Sequence, residues 1–121
     1  MKQKVHSVSY LAKAEFGVKN GVYDLVALPT GAEVVKVTLE VVGNHTNESI
    51  SVGFKDENDK NYFLILEDIG TKKNAMSDKD YTVTSNKVVV AEVKNAIGTD
   101  TNTKGVLRVL YFLPSVIEVD Y

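Results

Sequence analysis

The chain has 121 residues, 44% of them hydrophobic and 25% charged, with a formal net charge of −2 and neither cysteine nor tryptophan. That length fits one domain, residues 1–121. The missing cysteine excludes a disulfide scaffold, a thiolate metal site and a cysteine nucleophile; the balanced charge gives no footprint for nucleic acid, and no apolar run is long enough to span a membrane.

Valine dominates the composition. There are twenty valines and nine threonines, and β-branched side chains favour a pleated surface over a helix. In chain order, residues 3–14 alternate weakly between polar and apolar. No apolar stretch follows Lys2 and Lys4, so no secretion signal is read and a cytoplasmic site of synthesis is expected. Asn20-Gly21 is a hairpin signal that opens a strand from Gly21 to Leu28. Residues 33–42 carry the clearest pattern: positions 35, 37, 39 and 41 are apolar, while Lys36, Thr38 and Glu40 alternate with them. Period two over ten residues predicts a strand with one face on a core and one in water.

Two glycosylation sequons, Asn44-His45-Thr46 and Asn47-Glu48-Ser49, read as a polar loop. Residues 49–54 place Ile50, Val52 and Phe54 on one face. Residues 56–61 form a polar turn, and the continuous apolar run 62–66 predicts a strand buried on both faces. Residues 67–79 read as a loop. Segments 80–84 and 87–94 flank a tight turn at Ser85-Asn86, and 95–104 is a surface loop. A strand over 105–113 ends at Pro114, which has no amide hydrogen to give a ladder. Residues 115–121 form a last edge strand. The sum is a single antiparallel β-sandwich of eight or nine strands.

Little in the chain suggests chemistry. Its two histidines, His6 and His45, lie apart from any acidic cluster at ligand spacing. Asp56 and Asn58 begin like a calcium loop, but Lys60 and Asn61 fill later ligand places. There is no nucleophile elbow and no phosphate-binding glycine loop. No catalytic residue, cofactor or metal is assigned. Two other readings are open: a ligand- or carbohydrate-binding sandwich with tyrosine platforms, and a small carboxylate-dependent hydrolase. Tyr62-Phe63 and Tyr111-Phe112 put neighbouring rings on opposite strand faces. That surplus of apolar faces predicts a subunit contact at Tyr62, Tyr111 and Phe112.

The stretch from Gly21 to Val42 contains Leu28-Pro29-Thr30-Gly31-Ala32-Glu33-Val34, with Pro29 expected at position i+1 of a turn. Further on come Ser51-Val52-Gly53, Asp68-Ile69-Gly70 and the closing Tyr111-Phe112-Leu113-Pro114. This series resembles small virion structural proteins of tailed phages and prophages. The resemblance spans about residues 15–114 and implies a jelly-roll-like fold. It also implies a non-enzymatic role in the virion as a head-decoration, head-fibre or tail accessory protein. The implied partners are further copies of the chain, as in a ring or trimer, and other capsid or tail proteins. Leu28, Pro29 and Gly31 are then structural turn residues. The segments near 1–14 and 115–121, ending in Tyr121, become candidates for pairing with a neighbour.

Overall fold

A computed structural model describes residues 1–43, 48–56, 58, 60–67, 73–77, 79–96 and 103–120. Both sequons involve residues outside that set, as do Asp68-Ile69-Gly70, Tyr121 and most of the 95–104 loop.

Among the described residues there are eleven strands: β1 (Lys2–His6), β2 (Ser9–Gly17), β3 (Gly21–Leu28), β4 (Glu33–Val42), β5 (Ser49–Phe54), β6 (Leu64–Leu66), β7 (Asn74–Met76), β8 (Tyr81–Thr82), β9 (Lys87–Lys94), β10 (Lys104–Phe112) and β11 (Val116–Asp120). The count exceeds eight or nine because the weakly alternating N-terminal run splits in two, and because β7 is a three-residue strand with no marked pattern of its own.

One sheet has the order β2-β10-β4-β7, with β8 also pairing β4; the other has the order β3-β9-β5-β6. All pairings are antiparallel. The chain passes from one sheet to the other between β2 and β3, β3 and β4, and β4 and β5. The strand that enters first, β2, lies beside the late strand β10. A five-stranded and a four-stranded sheet linked this way make a jelly roll. Asn20-Gly21 therefore joins the two sheets and does not close a hairpin. Asn20 instead pins its loop to Ala96, accepting from the Ala96 amide at 2.9 Å.

The core lies between the sheets. Val37, Leu39, Ile50, Val52, Leu66, Val89, Leu107 and Val109 are fully enclosed there. As expected, β5 points Ile50, Val52 and Phe54 inward. On β4 the inward set is Val34, Val37, Leu39 and Val41, while Val35 is 42% exposed. The pairing explains this difference. Leu110 faces Lys36 but Tyr111 faces Val34, so a register shift skips Val35 and turns it out of the core. In β6, Leu64 and Leu66 are buried and Ile65 is 48% exposed. The strand is thus shorter than the run 62–66 and has one buried face, contrary to the two expected: Ile65 points to the outer side of its sheet, where it lines a surface hollow.

Gly105 on β10 faces Phe16 on β2. A Cβ at Gly105 would overlap the Phe16 ring. The glycine is what lets a large aromatic side chain lie flat across the sheet at that point.

Candidate assembly surfaces

The Leu28–Ala32 corner carries the chain from β3 to β4. The Ala32 amide donates to the Pro29 carbonyl at 3.2 Å. Pro29 is therefore the first residue of the turn, not its second. Gly31 occupies position i+2 with φ +89°, where a type II turn needs a positive φ. Two bonds with Val83 lock the corner: Gly31 donates to the Val83 carbonyl at 2.6 Å, and Val83 donates to the Ala32 carbonyl at 2.9 Å. Asn86 Oδ1 accepts from both the Thr30 amide and the Thr30 hydroxyl. Leu28 is buried below the turn.

The same corner touches Pro114. A Cβ on Gly31 would lie 2.7 Å from Pro114 Cβ. This contact links the Leu-Pro-x-Gly turn to the place where β10 gives way to β11. Ser9 pairs with Phe112, and His6 pairs with Val116. Between those pairs, two residues (7 and 8) oppose three (113, 114 and 115). The extra residue is a bulge, and bulges bend a ladder. Leu113 donates to the Val8 carbonyl at 2.8 Å, and His6 Nδ1 donates to the Leu113 carbonyl at the same distance. Past that clasp, β1 and β11 pair as a separate two-stranded ribbon.

The ribbon is amphipathic. Residues opposite each other in an antiparallel pair share a face. Lys2 with Asp120, Lys4 with Glu118 and His6 with Val116 define one face, mostly charged; Gln3 with Val119 and Val5 with Ile117 define the other. On the charged face Lys2 Nζ lies 3.5 Å from Glu118. On the other face Val5 is 39% exposed and Ile117 59% exposed. Sequence reading marked the end segments as pairing candidates but missed these apolar residues. The signal was present in the alternation Ile117-Glu118-Val119-Asp120.

The remaining marked residues fall in three settings. Tyr111 is in the core, with Tyr10 edge-on at 5.9 Å between ring centroids. Phe112 is half-buried at the end of β10. Tyr62 is half-buried in a ring cluster with Phe54, Phe63 and Tyr81, at centroid distances of 5.3, 5.2 and 5.4 Å, with Lys79 Nζ over its face at 4.8 Å. The ring faces of Tyr62 are thus largely taken up by its neighbours. A hollow of about 450 Å³ on the outer side of the second sheet is lined by Ser49, Ser51, Glu92 and Lys94 among others, with no aromatic residue. A smaller one of about 260 Å³ on the outer side of the first sheet is lined by Leu11, Lys36, Thr38, Arg108 and Leu110. Among the described residues, no three His, Asp or Glu side chains gather as a metal site would require.

No protein-family model matches the chain, and no curated protein matches it. Solved structures do. A chain from the acid-stable capsid of Helicobacter pylori bacteriophage KHP30 is 70% identical, with a TM-score of 0.90 and coverage of 100% of both chains. A chain from the capsid asymmetric unit of cyanophage Pam1 is 22% identical, with a TM-score of 0.68, over 88% of this chain and 85% of that one. The second likeness concerns the fold. The first extends over every residue at an identity that marks common descent, and the chain accordingly belongs to the bacteriophage virion structural proteins.

Proposed function

We propose that the chain is a head-decoration protein that forms a homo-oligomer, a trimer, on the outside of a phage capsid. The observation that carries this reading is the end-to-end likeness to a chain of a phage capsid, met in a small jelly roll whose two sheets share one hydrophobic core. Such a body needs complementary surfaces and no reacting group, so we read it as non-enzymatic, without a cofactor, a nucleic-acid partner or a membrane partner. Synthesis in the bacterial cytoplasm precedes addition to the particle.

The segments 43–48, 55–61, 71–79, which includes β7, and 95–104 are the proposed contacts with the shell. Leu28, Pro29 and Gly31 hold the corner under one end of the body. Tyr111 is buried in the core, while Phe112 and the part of Tyr62 left open by its ring cluster offer apolar surface to a neighbour. Tyr121 would extend the terminal contact.

Deleting the gene from the phage tests the reading. The expected result is assembled shells of normal diameter that lack a surface protein and regain it when the purified chain is added. Failure to form any shell would make the chain part of the shell itself. Normal heads with defective tails would place it in the tail.

A further inference from the structure

We infer that the β1–β11 ribbon is the oligomerisation element: ribbons from three copies pair β1 to β11 around a three-fold axis and close a six-stranded antiparallel barrel. The inference rests on the trimer reading above and adds the surface and the strand pairing that close it.

A ribbon of two strands is marginal alone in water. This one has two free edges, and its apolar face, with Val5, Ile117 and Val119, lies apart from the body's core. Its five residue pairs give strands of about 17 Å at the usual rise. Both problems are solved together if edges pair and the apolar faces turn inward. Closure removes the edges, and Gln3, Val5, Ile117 and Val119 of each copy, nine apolar and three amide side chains in all, then face the interior.

Charge selects the partner and the symmetry. Lys2 and Lys4 stand on β1; Glu118 and Asp120 stand on β11. Two-fold pairing of β1 with β1 would set lysine against lysine, and β11 with β11 would set carboxylate against carboxylate. Like charges directly across a ladder are destabilising. Pairing β1 of one copy with β11 of the next sets opposite charges together on the outer face. That contact is head-to-tail, and a head-to-tail contact that closes makes a ring. Around an axis along the strands, every β1 runs one way and every β11 the other, so each new ladder is antiparallel like the one within the copy. The second copy of this chain is thus the occupant that the charge pattern fits.

Sedimentation velocity and native mass spectrometry of the full chain at micromolar concentration test this. The expected species has three times the 13.3 kDa mass of the protomer. Val5→Asn/Ile117→Asn should reduce it to the protomer mass with the circular-dichroism spectrum of the body unchanged. Glu118→Lys/Asp120→Lys should do the same, and adding Lys2→Glu/Lys4→Glu should restore the trimer. That rescue separates edge pairing from a folding defect. A trimer that survives either double substitution, or a quadruple variant that stays a protomer, overturns the ribbon ring and leaves the decoration reading standing. A two-fold dimer overturns the symmetry. A wild-type chain that is a protomer throughout overturns the homo-oligomer reading as well.

Discussion

Two strand pairs lie in succession along this molecule, β2 with β10 and β1 with β11. The first runs for nine residue pairs and the second for five. Both are antiparallel, and both carry apolar residues on one face. The face of β2–β10 that meets the core is covered by a second sheet, which encloses Leu107 and Val109 completely. The corresponding side of β1–β11 leaves Ile117 largely open. The covered pair takes its stability from burial at about 25 cal/mol per Å² of apolar surface. The uncovered pair has a ladder, a His6 clasp and exposed ion pairs. Exposed pairs such as Lys2–Glu118 contribute at most about 1 kcal/mol each. The difference separates what folds the protomer from what assembles it, and a few residues at the bulge divide the two.

The largest effects should come from the covered region. Val37→Asp or Leu39→Asp places an unpaired charge in a fully enclosed position and should cost more than about 4 kcal/mol. Since a domain of this size has about 5–15 kcal/mol in all, thermal melting should show little or no folded protein. Gly105→Ala should cost about 1–3 kcal/mol because the Phe16 ring must shift. Gly31→Ala should cost a similar amount through its positive φ and the Pro114 contact. It should also loosen the ribbon base, which hydrogen exchange at His6 and Leu113 would report.

A finer comparison lies within β4. Val34→Asp should be severe, while Val35→Asp and Lys36→Glu should stay within about 0.5 kcal/mol, as for other surface changes. Denaturant melts of the three variants check the register shift directly. If Val35→Asp proves as damaging as Val34→Asp, the bulge is misplaced. Smallest of all, Lys55→Ala removes an exposed pair with Asp24 at 2.8 Å and should lower stability by less than about 1 kcal/mol.

Much of the protomer was legible in the sequence. Alternation located β4 and β5, and the polar stretch after Phe54 located the β5–β6 hairpin. The Leu28–Ala32 turn was legible as a corner between strands, because proline and glycine punctuate the chain there. What was not legible depends on partners distant in sequence. The exposure of Val35 follows from its opposite neighbours on β10, not from its own segment. Whether Asn20-Gly21 folds β3 back on β2 or sends it to the other sheet depends on which strand takes the place beside β2, and β10 takes it. Alternation in 116–120 marked a strand face but not whether that face would be covered, since covering requires a second layer of chain. The charge pairs Lys2–Asp120 and Lys4–Glu118 became visible only once the first and last strands were seen to pair.

The most direct measurement is hydrogen exchange at two protein concentrations, one below and one above the assembly threshold. Amides of β4, β5, β9 and β10 should be equally protected in both, because a single copy completes their ladders and core. Amides of β1 and β11 should exchange rapidly in the dilute sample and become protected in the concentrated one. Ribbon amides equally protected at both concentrations would show that one copy completes the ribbon, and would contradict the separation of folding from assembly.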